Sequence, residues 1–165
     1  RIAETDYRKN AFIVTSGNST YPELPAFANI KFRDPTIDAG DYIYMRAASM
    51  YYIEAEAYAR SGNEALAKKA LYEITVSRDP SYSMSTNTGT ALINEIILQK
   101  RIELWGEGYA WFDMKRLGID LKRDYLGSNH PAFGKFNIPA KDTRFIFQIP
   151  QAEIDANPLI VQNSL

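Results

Sequence analysis

Cysteine is absent from the 165-residue chain, and histidine occurs once, as His130. The lack of cysteine excludes disulfides, thiolate metal sites and a cysteine nucleophile within the chain. A single histidine gives poor support to a multi-histidine metal site or a Ser-His-Asp triad. No apolar run approaches the roughly 20 residues that a membrane-spanning helix needs. We therefore predict no cofactor, no metal and no membrane helix in this sequence.

The charge balance is nearly neutral, with a formal net charge of -1. Such a balance gives no whole-molecule attraction for nucleic acid or an anionic membrane surface, so neither is a predicted partner. The hydrophobic content of 45% and the length suit one globular domain. Eleven tyrosines stand against two tryptophans. Tyrosine suits sugar-binding surfaces, protein interfaces and helix cores with one solvent-exposed edge. We favour the last of these as the explanation for the large number of tyrosines.

The sequence begins at Arg1 rather than at methionine, and no signal peptide is recognisable near it. We therefore expect a longer parent protein, with the export signal and any lipid-bearing cysteine outside this sequence.

Residues 1–40 lack helical periodicity. Residues 11–15 (AFIVT) predict a short strand, and residues 16–19 (SGNS) predict a turn. Pro22, Pro25 and Pro35 then prevent a long regular element. We predict an irregular segment, residues 1–40, that packs against a helical domain, residues 41–165.

A helical hairpin is predicted from about residue 41. The first helix has a stripe at four- and three-residue steps, formed by Tyr44, Ala48, Tyr51, Ala55 and Tyr58. Gly62 is placed to end this helix, and Asn63 is placed to cap the next one. The second helix runs to about Ser77, and its predicted inner stripe is Ala67, Ala70, Leu71 and Ile74.

The hairpin has the spacing of a tetratricopeptide repeat. The repeat has a fixed order of large, small, aromatic, small and large residues, and this order is matched by Tyr51, Ala55, Tyr58, Ala67 and Leu71. Pro80 lies near the position of the proline that ends the repeat. A single unit cannot bury both of its faces. We therefore expect a broad exposed apolar patch on the first hairpin, which would lead to dimerisation, poor solubility or association with the N-terminal part of the same protein.

A long helix is predicted from about Thr90 to at least Leu104. Its apolar stripe continues at helical spacing through Leu98, Ile102, Trp105, Tyr109 and Phe112, up to an end near Leu117. Gly106 and Gly108 predict a kink or a close backbone approach inside it. Residues 79–90 and 119–144 are polar loops, residues 145–150 are predicted to be extended, and residues 151–156 form a helical turn.

Three segments of the sequence resemble the SusD/RagB family. They are residues 29–32 (NIKF) with 44–57 (YMRAASMYYIEAEA), residues 99–116 (QKRIELWGEGYAWFDMKR), and residues 149–158 (IPQAEIDANP) with Gln162 and Asn163. The resemblance covers about residues 29–163 in the correct order. The chain departs from the family pattern at Ser49 and Gln99, where glutamate is usual, and at Ala110, where arginine is common.

The resemblance implies a mainly α fold of tetratricopeptide-like hairpins with long irregular loops and little β structure. It implies a lipoprotein on the outer membrane of a Gram-negative cell, attached only through a lipid anchor. It also implies noncovalent capture of an oligosaccharide for a SusC-like TonB-dependent transporter, without catalysis. The alternative is a tetratricopeptide-like docking scaffold that binds a protein and never contacts sugar.

The acidic residues give little support to a glycoside hydrolase, which needs a pair of carboxyl groups. Glu103 and Glu107 are four apart and would share a helix face. Like charges at this spacing destabilise a helix slightly, and basic residues flank both. We interpret these glutamates as parts of a charged network that ties the helix to its neighbours.

Sugar capture needs exposed aromatic faces with hydrogen-bonding groups nearby. Trp105 and Trp111 are interpreted as packing residues, because the first lies on the apolar stripe and the second in the family motif. The two polar loops supply the candidate glycan-binding residues, which are Tyr82, Asn87, Arg123, Tyr125, Asn129, His130 and Phe133. The competing interpretation for all seven is that they are solvated loop residues with no ligand.

Overall fold

The computed structural model describes residues 2–13, 22–34, 39–41 and 43–163. The mainly α prediction is confirmed. The helices are α1 (Ala47–Arg60), α2 (Glu64–Val76), α3 (Gly89–Glu103), α4 (Tyr109–Leu117) and α5 (Gln151–Ala156). Short 3-10 turns span Tyr7–Ala11, Ala132–Gly134 and Thr143–Phe145. Within the described residues, no helix is long and apolar enough to cross a membrane.

The chain forms two compact units, Arg1–Trp105 and Gly106–Leu165. The first unit contains α1, α2 and α3, and the second contains α4, α5 and a small β-hairpin. The division into an irregular segment, residues 1–40, and a helical domain, residues 41–165, stays a prediction.

Helices α1 and α2 form the predicted hairpin. Gly62 adopts a φ of +82°, a left-handed conformation that glycine reaches without strain, and it separates the two helices as expected. Asn63 occupies the cap position of α2, but its side chain donates to Ser61 Oγ at 3.2 Å and makes no cap hydrogen bond. The predicted inner stripe of α2 is confirmed, because all four of its residues are buried.

The core of the first unit joins α1, α2 and α3. Its buried residues are Ala48, Tyr52, Ala55, Ala67, Ala70, Leu71, Ile74, Leu92 and Ile96. Alanines at the crossing of α1 and α2 allow the two helices to pack closely, as their spacing in the sequence indicates.

The predicted stripe of α1 is partly wrong. The helix begins at Ala47, so Tyr44 lies before it and is exposed. Tyr51 is also exposed, whereas Tyr52 is completely buried. Ala48, Tyr52 and Ala55 also step by four and three, so a shift of one tyrosine leaves the periodicity intact. The tetratricopeptide character of the hairpin, including the repeat position given to Tyr51, stays a prediction.

The helix predicted from about Thr90 to at least Leu104 is confirmed as α3 to within one residue at each end, and the kink predicted at Gly106 and Gly108 is a complete break. Helix α3 ends at Glu103, and α4 begins at Tyr109. Gly106 and Gly108 have φ angles of +77° and +84°, which no residue of a right-handed helix adopts. The predicted stripe is wrong, since Leu98, Trp105 and Phe112 are exposed. The buried face of α3 instead carries Leu92, Ile96, Lys100 and Glu103.

The predicted strand at residues 11–15 is wrong for its first residue, because Ala11 ends the 3-10 turn Tyr7–Ala11. The Asp6 side chain stabilises that turn by accepting from the backbone amide of Arg8. Phe12 forms an isolated antiparallel bridge with Asn29. Residues 14 and 15, the predicted turn at residues 16–19, and Pro35 lie outside the described residues.

The second unit contains a β-hairpin that the sequence did not predict. Strands β1 (Leu121–Lys122) and β2 (Asn137–Ile138) pair antiparallel, with Leu121 opposite Ile138. Gly118, with a φ of +62°, ends α4 where the predicted segment ends. The predicted helical turn at residues 151–156 is confirmed as α5, whereas Phe145 belongs to a 3-10 turn rather than to an extended stretch.

The tail of the second unit is fixed by side-chain amides. Gln162 accepts from Ile149 N and donates to Ile149 O, both at 2.9 Å. Asn163 donates from Nδ2 to Phe147 O at 2.8 Å. Trp111 packs against Phe145, with ring centroids 5.0 Å apart, so its interpretation as a packing residue is confirmed.

Candidate functional site

A buried glutamate at the end of α3 organises the first unit. Glu103 Oε1 accepts from Arg46 Nη2 at 2.7 Å and from Arg78 Nη2 at 3.1 Å. Arg8 Nη1 lies 3.7 Å from Glu103 Oε2. A buried carboxylate keeps its charge only when it is paired and hydrogen-bonded in this way. The predicted charged network is confirmed, and three of its cations, Arg8, Arg46 and Arg78, come from distant segments of the chain.

This arrangement corrects the interpretation of the two glutamates as neighbours on one helix face. Helix α3 ends at Glu103, so Glu107 is not one helical turn further along it. Both Glu103 oxygens contact guanidinium groups, and the residue is buried. Such a carboxylate is placed to hold elements together, since a general acid or nucleophile needs access to a substrate.

The same helix end binds the segment around Lys31. Lys31 Nζ donates to Glu103 O at 2.8 Å, a carbonyl that the end of α3 leaves without a helical partner, and to Trp105 O just beyond the helix at 3.0 Å. Trp105 also packs edge-on against Phe12, with ring centroids 5.5 Å apart. Two segments of the family resemblance, residues 29–32 and 99–116, therefore meet here.

Two departures from the family pattern have local explanations. Gln99 Oε1 accepts from Arg8 Nη2 at 2.6 Å, so the neutral amide retains a hydrogen bond to this guanidinium. Ser49 is buried and donates to Arg46 O at 2.7 Å, at the first turn of α1. The structure does not explain Ala110.

The two candidates in the first loop share one carboxylate. Tyr82 donates its hydroxyl to Glu95 Oε1 at 2.7 Å, and Asn87 Nδ2 donates to Glu95 Oε2 at 2.9 Å. Ser85 also bonds Glu95. Burial, together with the bond to Glu95, raises the pKa of Tyr82. Tyr82 also stacks on Tyr72 and packs against the core, so its ring is only partly available to a ligand.

The other five candidates lie in the hairpin of the second unit. Arg123 Nη2 lies 3.2 Å from His130 Nδ1, and the guanidinium of Arg123 covers the Phe136 ring at 5.0 Å. Gly134 leaves room beside this pair, because an added Cβ would lie 3.2 Å from Arg123 Nη2, a tight contact that the guanidinium would have to move to relieve. Arg123 and His130 therefore form a packed polar pair at the base of the loop.

The remaining three hairpin candidates project into solvent. Phe133 is 88% exposed and Tyr125 is 57% exposed, and Asn129 is exposed as well. Leu126, which the sequence analysis did not select, is fully exposed. Only its place between Tyr125 and Gly127, at the tip of a polar loop, could have indicated it. Two rings and an amide on a loop with a fixed base have the chemistry that stacking on a sugar requires.

No group of three or more histidine, aspartate or glutamate side chains lies close enough to hold a metal ion among residues 2–13, 22–34, 39–41 and 43–163. His130, the single histidine, is instead paired with Arg123.

A sequence model of the SusD family matches residues 5–165. The chain belongs to the SusD family. No curated protein matches it. The family assignment agrees with the three resembling segments, two of which meet at the end of α3.

Solved structures show the same fold. A SusD superfamily protein from Bacteroides thetaiotaomicron is 27% identical, with a TM-score of 0.74, over 98% of this chain and 38% of that one. A protein from Bacteroides vulgatus provisionally described as sugar binding is 26% identical, with a TM-score of 0.71, over 96% and 35%. A SusD-like carbohydrate binding protein from Bacteroides vulgatus is 23% identical, with a TM-score of 0.71, over 94% and 38%. This chain spans less than two fifths of each.

Proposed function

We propose that this chain is the helical platform of a surface protein that captures an oligosaccharide noncovalently and delivers it to a SusC-like TonB-dependent transporter. The observation that carries the proposal is the SusD family match over residues 5–165. The proposal places the protein on the outer membrane of a Gram-negative cell through a lipid anchor outside this sequence, and it assigns no catalytic step.

The descriptions of two relatives support the ligand class. One is provisionally described as sugar binding and the other as carbohydrate binding. The exposed rings of Tyr125 and Phe133 offer stacking surfaces, and Asn129 offers an amide. The packed pair of Arg123 and His130 holds the base of this loop, which lowers the conformational entropy that a ligand would have to remove.

The first loop contributes less in this proposal. Tyr82 and Asn87 already donate hydrogen bonds to the Glu95 carboxylate, so a glycan that bound them would have to replace these bonds. We assign them a supporting role, in which they fix the loop before α3, and assign direct contact to the hairpin of the second unit.

The test is calorimetry with a panel of oligosaccharides, carried out both on this chain and on the longer parent protein that the sequence leads us to expect. We expect heat from a specific glycan, no change in that glycan by chromatography, and weaker binding by the double variant Tyr125→Ala/Phe133→Ala. The matched control is Phe112→Ala, which removes another exposed ring of the second unit. Formation of a shortened glycan product by the purified wild-type protein would instead favour a hydrolase.

The second candidate function is a protein-docking scaffold, which needs an apolar face that the rest of the protein leaves uncovered. Met50 and Ile53 are exposed on the outer face of α1, at 62% and 49%. We propose that this face packs on further polypeptide of the same protein, since the solved relatives contain more than twice the length of this chain. Tight peptide binding without any glycan binding by the protein that carries the chain would favour the scaffold and contradict glycan capture.

A further inference from the structure

An open cleft of about 440 Å³ lies in the first unit, and none of the loop candidates described above lines it. One wall is formed by residues 4–7 and Asn10, and the other by Pro80 and Ser81. The volume lies within the range of about 300 to 1,000 Å³ that is usual for small-molecule sites.

The walls of this cleft are held together by short hydrogen bonds. Thr5 Oγ1 donates to Asp79 Oδ1 at 2.6 Å and lies 2.6 Å from Ser81 Oγ. Tyr7 N donates to Arg78 O at 2.9 Å, which joins the 3-10 turn to the end of the hairpin. The cleft is therefore built by two segments more than 70 residues apart in sequence, and its shape does not depend on one loop alone.

Two side chains on the wall make no hydrogen bond to the described residues. The ring of Tyr7 is 61% exposed, and the described residues give its hydroxyl no hydrogen-bond partner. The Asn10 amide is exposed and, within the described part of the chain, also has no partner. An exposed flat ring beside a free amide offers a stacking face together with a donor and an acceptor.

The charges around the cleft favour a neutral ligand. Lys9 pairs with Glu4, and Arg8 pairs with Asp6 at 2.7 Å. The hydrogen bond from Thr5 lowers the pKa of Asp79, which therefore remains a carboxylate at neutral pH. The charged residues that line the cleft, Glu4 and Asp6, are both acidic and both ion-paired, so the described lining offers an anionic sugar no cation. The carboxylates are also already hydrogen-bonded or ion-paired, so they offer little to a cation.

We propose that this cleft binds one neutral pyranose unit of an oligosaccharide, with the Tyr7 ring as the stacking face and the Asn10 amide as the hydrogen-bonding group. The inference rests on the proposed glycan capture but adds a second contact point, independent of the hairpin that carries Tyr125 and Phe133.

The test is calorimetry of the full chain with neutral oligosaccharides of glucose, mannose, galactose and xylose, and with an oligosaccharide of galacturonic acid. For a glycan that binds, we expect Tyr7→Ala to lower the association constant roughly tenfold and Tyr7→Phe to preserve it, since the ring rather than the hydroxyl supplies the contact. Asn10→Ala is expected to lower it about fivefold. Phe112→Ala is the control.

The outcomes separate this inference from the proposed function. Glycan binding that Tyr7→Ala leaves unchanged, while Tyr125→Ala/Phe133→Ala weakens it, overturns the cleft and leaves glycan capture intact. No binding of any glycan by the wild-type chain or by the protein that carries it overturns both. Preferred binding of the galacturonic acid oligosaccharide contradicts the neutral ligand. Thermal unfolding by circular dichroism checks that Tyr7→Ala remains folded, as expected for a side chain that projects into solvent.

Discussion

Glu103 is the residue on which the first unit depends most, because one carboxylate holds three separate segments. Arg8 comes from the N-terminal segment, Arg46 precedes α1, and Arg78 follows α2. Removing one member of a buried ionic cluster leaves the others desolvated and without their counter-charge, which costs more than the cluster contributes in total. The residue therefore serves the fold even though its position in the family motif could suggest catalysis.

We predict that Glu103→Gln destabilises the chain by about 3 kcal/mol, because an amide cannot compensate the positive charge of the arginines. Urea unfolding followed by circular dichroism measures the change. The control is Glu54→Gln on the exposed face of α1, which should alter the free energy of unfolding by less than about 0.5 kcal/mol. Equal stability of Glu103→Gln and the wild type would show that the cluster does not stabilise the fold.

Asp142 provides a second prediction on a single residue. Its side chain accepts from Arg144 Nε at 2.7 Å and from Arg144 N at 2.9 Å, and these bonds lower its pKa to about 2. A depressed pKa in the folded state means that the carboxylate stabilises the fold above the ordinary value of 3.8 and that this contribution is lost as the pH falls toward 2.

We therefore expect Arg144→Gln to raise the pKa of Asp142 part of the way to 3.8, since the backbone amide still donates. A carboxyl-carbon NMR titration reads this pKa directly. Lys141→Gln removes a neighbouring positive charge and should leave the value close to that of the wild type. An Asp142 pKa that is the same in the wild type and in Arg144→Gln would exclude the side-chain bond as its cause.

At the scale of elements, Glu95 determines the order of the loop between α2 and α3. Its two oxygens accept from Tyr82, Ser85 and Asn87. We predict that Glu95→Ala speeds amide hydrogen exchange across residues 82–88 and lowers stability by about 1 to 2 kcal/mol, because three donors lose their acceptor. Hydrogen exchange with mass spectrometry measures both effects.

The matched control is Glu73→Ala on α2, where the pair with Lys69 is exposed and 3.9 Å long. Such a pair contributes little, so this variant should exchange like the wild type. If residues 82–88 keep their protection in Glu95→Ala, another contact orders the loop, and Tyr82 and Asn87 become freer to meet a ligand.

Elements with one unambiguous apolar stripe were predictable from the sequence. Helix α2 is such a case, since Ala67, Ala70, Leu71 and Ile74 admit a single inner face. The inner face of helix α1 was not predictable in this way. Its adjacent tyrosines, Tyr51 and Tyr52, allow two alternative inner faces that differ by one residue. The inner face is decided by the Tyr52 hydroxyl, which accepts from Arg8 Nη1 at 3.4 Å, and by its packing on α2 and α3.

Features that depend on distant partners were not predictable. The cations around Glu103 come from positions 25 to 95 residues away, and no local pattern indicates them. Strands β1 and β2 have two residues each, too few for an alternating pattern. For the candidate site, the sequence correctly indicated exposed loop aromatics in Tyr125 and Phe133, but not that Tyr82 is held by Glu95. The cleft beside Tyr7 needs the 3-10 turn, which was predicted as irregular chain.

At the scale of the whole molecule, the outer face of α1 bears on how this chain exists in solution. Ala47, Met50, Ile53 and Ala57 are exposed on it, and Met45 precedes it with 86% exposure. A soluble monomer rarely exposes a contiguous apolar surface of this kind unless a partner covers it. The exposure of these side chains agrees with the surface expected on the first hairpin, whose self-association stays a prediction, and the occupant that we propose for it is further polypeptide of the same protein.

We predict that the isolated chain self-associates at micromolar concentration or binds a hydrophobic dye, and that Met50→Lys/Ile53→Lys abolishes both. Two lysines place charge where an apolar partner surface would have to desolvate it. Sedimentation velocity and dye fluorescence measure the effect, and Leu66→Lys on α2 is the control for an exposed apolar residue outside this face. The protein that carries the chain should be monomeric and silent to the dye if its own polypeptide covers α1. A wild-type chain that is already monomeric and dye-silent by itself would contradict this prediction and show that the outer face of α1 needs no partner.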